Sequence, residues 1–331
     1  MMPGLYNPFR DFSFNDSTCF LSGAKSGKLE KATVFPQWIL DEFQLADKPF
    51  KLLDESIITY QDIHVPCSPD TLAAIQKLDA EIQQAFTSGF TAVEQLDDER
   101  LFLWIAKMVY GIIYHEIRVG IRQQALSGES MNFSQSLVHK LGNLHLMLQA
   151  LIQPVVFDEP KPWSIQKFPI SSVEKQFSYR DEVNTLIFSL RMNDFGLICC
   201  LQDMGVNQRY HKTILDTIGK QALHPIQFEE VCARFFYSAY LLNRLPEFTV
   251  LPTSEAVFIE PMPLQGMSAK PIFDTWDVKT YGQVLENFWK PWGYLLFEII
   301  KNPDKPMSFL TDETGAFIPA EQIIPPTPLD S

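Results

Sequence analysis

A chain of 331 residues with 46% hydrophobic, 13% aromatic and 20% charged side chains has the composition of a folded protein, which excludes the disordered, collagenous and disulfide-scaffold classes. The formal net charge of -13 opposes a phosphate backbone, because nucleic-acid affinity rests on Lys and Arg displacing condensed counterions, and no basic block interrupts the acidic balance. Five scattered cysteines do not make a disulfide framework. With no basic-then-apolar leader pattern and no long uncharged apolar run, the expected location is cytoplasmic and no membrane partner is expected.

Residues 1–66 mix Pro, Gly and polar clusters with short apolar pieces and read as an irregular or short-stranded module. A helix follows over "SPDTLAAIQKLDAEIQQAFTSG". Ser68 can cap it, Pro69 suits its first turn and Asp70 complements the positive end of its dipole. Leu72, Ile75, Leu78, Ile82 and Phe86 form the apolar stripe, and Gly89 ends it. A longer helix begins at "DDERLFLW", with Leu101, Trp104, Ile105, Met108, Ile112, Ile117 and Ile121 at helical spacing, and reads as the central core helix. "SQSLVHKLGNLHLMLQALI" is a third helix, stopping before Pro154.

Between Val155 and Met204 the pattern turns to β-branched and aromatic runs, with "EVNTLIFSLRM" and "FGLICCLQD" forming a hairpin that turns at Asn193 and Asp194. Helices resume at "PIQFEEVCARFFYSAYLLNRL" and, after the strand-like "AVFIEP", at "YGQVLENFWKPWGYLLFEIIK", which Pro291 should kink or divide. The expected class is α+β: a module over 1–90, a helical body over 91–315 with strands around 155–204 and 249–260, and a loosely attached Pro-rich tail over 316–331.

"CFLSG", "KATVFPQW" and "HVPCSPDTL", in that order, resemble the N-terminal ββα-metal, treble-clef-like module of HNH endonuclease-like proteins. That family pattern has a Cys-x-x-Cys knuckle, then Glu-His-Val-Phe-Pro-x-Trp, then Pro-Cys-x-x-Cys-Asn opening a helix. The resemblance implies a structural zinc on four thiolates and a histidine general base beside a divalent metal. This sequence departs from it at the chemical positions. Cys19 is kept but Ser22 replaces the second thiolate; Cys67 is kept but Asp70 replaces the fourth; Thr33 stands where the base belongs and Thr71 where the asparagine belongs. Gly23, Phe35, Pro36 and Trp38, which carry only the apolar frame, match.

A hydroxyl cannot take a proton near neutrality as an imidazole does, so Thr33 implies lost HNH catalysis. The leading expectation is a non-catalytic binding or scaffolding protein with no cofactor and an unidentified partner; the acidic balance argues against general nucleic-acid binding and leaves a protein partner open. The alternative is a divergent metal-dependent nuclease holding zinc or magnesium with a rearranged set of Cys19, His64, Cys67 and Asp70. A third expectation is a small-molecule pocket between the helical body and the β segment.

Other clusters have plainer readings. His115, Glu116 and Arg118 point in different directions around a helix, and His139 and His145 lie six apart on different faces. Cys199 and Cys200 are core fillers on a strand, "YRDE" at 179–182 with Arg191 and Asp194 is an exposed hairpin's polar dressing, and "GAKSGK" at 23–28 is a flexible turn without Walker spacing.

Overall fold

The computed structural model describes residues 5–10, 12–25, 28–127, 133–172, 176–244, 246–264, 269–302 and 305–324. The middle of the "GAKSGK" turn and residues 325–331 of the expected tail lie outside the described residues. In chain order the elements are β1 Glu30–Thr33, α1 Gln37–Glu42, β2 Pro49–Lys51, β3 Ile57–Thr59, β4 His64–Cys67, α2 Pro69–Thr87, α3 Phe90–Gln95, α4 Asp98–Ser127, α5 Gln135–Leu148 and β5 Val155–Phe157. There follow β6 Ser164–Pro169, β7 Phe177–Glu182, β8 Ile187–Met192, β9 Phe195–Cys200, α6 Val206–Tyr210, α7 Lys212–Ile218, α8 Pro225–Leu241, β10 Phe248–Pro252, β11 Val257–Pro261, α9 Val278–Trp289 and α10 Leu296–Ile299. The protein is α+β. Among the described residues no helix is long and apolar enough to cross a membrane.

Contacts divide the chain differently from the expected boundaries at 90 and 315. One compact unit comprises residues 1–88, 95–162 and 245–262; the other comprises 89–94, 163–244 and 263–331. The reason is physical. The long helix read as part of a separate body supplies the core on which the N-terminal module folds, so α4 and α5 belong to the same unit as β1–β4.

In the first unit β1 and β4 form an antiparallel ladder, with Glu30 opposite Cys67 and Thr33 opposite His64. The β2–β3 hairpin lies between them in sequence. Next, α2 begins as its residues dictate: Ser68 caps it through a 3.4 Å bond from Thr71 N to Ser68 Oγ, with Pro69 in the first turn. Its buried positions are Thr71, Ile75, Leu78, Ile82 and Phe86. From Leu101 to Tyr114 every residue of α4 is buried or occupies a sealed interior position, well beyond the single expected stripe, as a helix surrounded on all sides requires. Its one interior lysine, Lys107, is neutralised at 2.7 Å by Asp79 of α2. At Gly111 the ladder comes so close that an added Cβ would lie 2.8 Å from Val34 Cγ2. Strands β10, β11 and β5 complete the unit, β11 lying antiparallel to β10 and parallel to β5.

The second unit is built on a four-stranded antiparallel sheet in the order β6-β9-β8-β7. The expected hairpin is there: Met192 pairs with Phe195, leaving Asn193 (φ 50°) and Asp194 as the turn. "YRDE" at 179–182, read as an exposed hairpin's polar dressing, lies in a paired edge strand, β7, with Arg180 at 3.3 Å from the buried carboxylate of Glu229. Helix α8 covers the sheet, and Gly196 of β9 leaves the space that the Phe228 ring fills, 2.4 Å from where a Cβ would stand. Glu230, fully buried on α8, accepts from Arg234 Nη2 (2.8 Å), Ser308 Oγ (2.8 Å), Phe309 N (2.7 Å) and Leu310 N (3.3 Å). The expected division of the last helix occurs at Pro291, where a 3₁₀ turn ending in Gly293 (φ 78°) separates α9 from α10. The described part of the expected tail is not loose: Gln227 Nε2 donates to Ile318 O at 2.7 Å, and Phe317 packs on the α8 core.

Candidate functional site

The three segments that resemble an HNH module come together in the first unit as a strand pair followed by a helix. Residues 19–24 form a tight knuckle-like turn, in which Gly23 N donates to Cys19 O (3.0 Å) and Cys19 N to Ala24 O (2.9 Å). Gly23 takes φ +69°, and a Cβ there would sit 2.4 Å from the Tyr6 ring, so both its conformation and its neighbour call for glycine. Phe20 N donates to Pro66 O at 2.9 Å and ties this turn to β4. Cys67 ends β4, Ser68 caps α2, and the chain then turns Thr71 inward.

Cys19 and Cys67 are completely buried, and the Cys19 thiol donates to Thr71 Oγ1 at 3.4 Å. Ser68 Oγ donates to the same hydroxyl at 2.9 Å. Burial alone would push the Cys19 thiol up, but hydrogen bonding with the Ser22 and Thr71 side chains and with the Ser22 and Ser68 backbone outweighs it and lowers the pKa. Cys67 behaves oppositely: burial first, then the neighbouring Cys19, drives its thiol far above the ordinary range.

The residue of the α2 start that meets Cys19 is Thr71, one beyond the aspartate that the sequence suggested. Asp70 is exposed at the start of α2. His64 stands at the other end of β4 from Cys67; three residues along a strand span about 10 Å and end on opposite faces. The rearranged set of Cys19, His64, Cys67 and Asp70 is therefore not brought together, and among the described residues no group of three His, Cys, Asp or Glu side chains could hold an ion. Zinc does not fit the residues that meet at the knuckle. Magnesium, which needs several oxygen ligands, has none converging there either.

The apolar frame is fully used. Phe35 is buried between Tyr60 (ring centroids 4.8 Å) and Phe50 (5.8 Å), Pro36 precedes α1, and the half-buried Trp38 meets Phe86 edge-on at 6.1 Å.

A second cluster lies at the Thr33–His64 rung. His64 Nδ1 donates to Asp62 O at 2.7 Å, leaving the lone pair on Nε2. The His115 ring is 5.4 Å away. His115 Nδ1 lies 3.1 Å from His64 O, 3.1 Å from Arg118 Nη2 and 3.3 Å from His64 N, so the ring is wedged between the β4 backbone and the guanidinium. Burial depresses its pKa to about 4, and burial also lowers that of His64. Arg118 further donates to His64 O (3.0 Å) and to Asp16 (2.8 Å), and Arg122 also pairs with Asp16. Glu116 points elsewhere, accepting from Leu53 N at 2.8 Å. The i, i+3 spacing of His115 and Arg118 was the signal for this convergence; considering adjacent residues alone hid it.

His145, Cys199 and Cys200 are structural. His145 is fully buried and donates from Nε2 to Phe20 O at 3.0 Å, its pKa pushed down to about 4 by burial. Cys199 and Cys200 are buried in β9. Comparison with models of known families, with curated proteins and with solved structures gives no match.

Proposed function

We propose that the chain is a non-catalytic binding or scaffolding protein whose N-terminal module is a degenerate relative of the HNH nuclease module, with hydrogen bonds replacing the zinc. One observation carries this reading: the buried Cys19 thiol is hydrogen-bonded to Thr71 where two knuckle ligands would share a metal. A satisfied, sealed thiol–hydroxyl pair holds the knuckle to the helix without an ion. Thr33 at the base position cannot activate water. The partner suggested by the acidic balance is a protein, and the five free buried cysteines suit a reducing, cytoplasmic setting.

The test is metal analysis of purified protein together with plasmid nicking in magnesium, manganese or zinc. Zinc far below one per chain and intact plasmid are expected; stoichiometric zinc with metal-dependent nicking overturns the reading.

The alternative, a divergent metal-dependent nuclease, has one observation in its favour. The Nδ1 bond to Asp62 O gives His64 the tautomer that a general base uses, on the strand facing Thr33. It requires that His64→Ala abolish a measurable nicking activity.

A further inference from the structure

Along α5, the residues Gln135, Val138, His139, Gly142, Asn143 and Leu146 recur at helical spacing on one face, and this face lines a cavity of about 550 Å³. Opposite it runs the N-terminal segment around Leu5–Phe9, with Val250 of β10 closing one side. The segment is fastened beside the cavity and not merely laid across it. Tyr6 N donates to Gln149 Oε1 (3.3 Å) and Gln149 Nε2 returns a bond to Tyr6 O (2.8 Å), while Tyr6 OH meets Ser13 Oγ at 2.7 Å. The space itself depends on Gly142: the nearest atom to a Cβ there is Asn7 Nδ2, at 3.8 Å.

The lining has a definite chemistry. Among the described residues that line the cavity there is no Asp, Glu, Lys or Arg. The groove is half open, with His139 and Gln135 exposed on its wall, and among its described residues an ion finds no counter-charge. The walls are apolar at Leu5, Phe9, Phe133 and Leu146, yet three polar groups gather at the middle of the helix face. Asn7 accepts from Phe9 N with its Oδ1 (2.9 Å), which presents its NH₂ toward α5. Asn143 Nδ2 donates to His139 Nε2 (3.2 Å), so the imidazole proton sits on Nδ1 and the Asn143 Oδ1 is left as acceptor. A wholly apolar occupant would strip water from these groups and pair none of them.

The geometry points to a binding site for a neutral heteroaromatic molecule that lays an apolar ring between the Leu5–Phe9 segment and α5 and presents adjacent hydrogen-bond donor and acceptor atoms to Asn7, His139 and Asn143. The volume is within the range of small-molecule sites. The inference does not depend on the fate of the Cys19–Cys67 knuckle, and it differs from the pocket expected between helical body and β segment in lying along α5.

Protein-observed NMR titration of the full chain tests it, with adenine and quinolin-2-one as neutral probes, AMP as the charged counterpart and cyclohexanol as a neutral probe without a flat donor–acceptor edge. Saturable binding of at least one neutral ring is expected, weakened roughly tenfold or more for AMP and cyclohexanol. Gly142→Leu should fill the cavity and lower the affinity by a similar factor while the chain keeps its fold. Asn143→Ala, which adds no bulk, provides the same reading if Gly142→Leu does not fold. Absence of saturable binding by both neutral rings, equal binding of AMP, or unchanged affinity in the folded variants overturns the proposal.

Discussion

Thr33 and His64 face each other across the β1–β4 ladder, and behind His64 the neutral ring of His115 is held by Arg118. An imidazole kept neutral by burial ties stability to pH. His115 and His145 both have folded pKa values of about 4, below the ordinary 6.5. The unfolded chain therefore binds more protons between these values, so stability is full above about pH 6.5 and falls as the pH drops toward 4. Each buried ring contributes a loss on the order of 3 kcal/mol across that window. Urea unfolding at pH 7.5, 5.5 and 4.5 should show a falling midpoint, and His115→Gln should flatten the slope; a midpoint independent of pH contradicts the burial described here.

The knuckle predicts which residue a restored metal site would need. Thr71, not Asp70, meets Cys19, so Ser22→Cys with Thr71→Cys should create a four-thiolate site from Cys19 and Cys67. Ser22→Cys with Asp70→Cys should bind zinc more weakly, because Asp70 is exposed. Cobalt titration followed by its visible absorption distinguishes the two. The single change Thr71→Val removes the hydroxyl that accepts from both the Cys19 thiol and Ser68 Oγ, and should cost about 0.5–1.5 kcal/mol in chemical denaturation.

Two helix glycines should respond in opposite directions. Alanine at Gly142 meets only Asn7 Nδ2 at 3.8 Å and gains helix propensity, so stability should rise by roughly 0.5–1 kcal/mol. Alanine at Gly111 would press on Val34 at 2.8 Å, a buried branched side chain, and should lower stability by about 1–3 kcal/mol despite the same propensity gain. Thermal melts of the two variants give the signs directly.

Glu230 fastens the 308–310 segment to α8 through two backbone N–H groups and one hydroxyl, while also pairing with Arg234. Glu230→Ala leaves Arg234 and those donors uncompensated, a loss on the order of 3–5 kcal/mol. Limited proteolysis should then cut within residues 305–318 much faster than in the parent chain; equal cleavage rates would mean that the segment is held by its apolar contacts alone.

Much of the local structure was legible because the relevant physics is local. Ser68-Pro69-Asp70 fixed the start of α2, Asn193-Asp194 the hairpin turn, and Pro291 the break between α9 and α10. What escaped reading depended on phase or on distant partners. The buried side of α2 begins at Thr71 and continues through Ile75, Leu78, Ile82 and Phe86, so the helical phase itself singles out Thr71. Motif spacing alone pointed one residue earlier, to Asp70. In the "FSYRDE" strand the alternation of Phe177 and Tyr179 with polar residues gives way to three charges, and the arginine among them finds its partner, Glu229, on a helix nearly fifty residues later. The unit boundaries escaped for the same reason: β5 finds its parallel partner, β11, only after the whole β6–α8 region has intervened.

That pairing sets an order on synthesis. The β10-β11-β5 sheet of the first unit cannot close until Val257–Pro261 has left the ribosome, although β5 emerged about a hundred residues earlier. At roughly 5–20 residues per second this is an interval of about 5–20 s. Throughout it the nascent chain carries a β5 edge with no partner, while the sheet of the second unit, whose strands are contiguous, is already free to form. A chaperone that shields unpaired strands would find its substrate in that interval, and rare codons placed before residue 262 would lengthen the exposure.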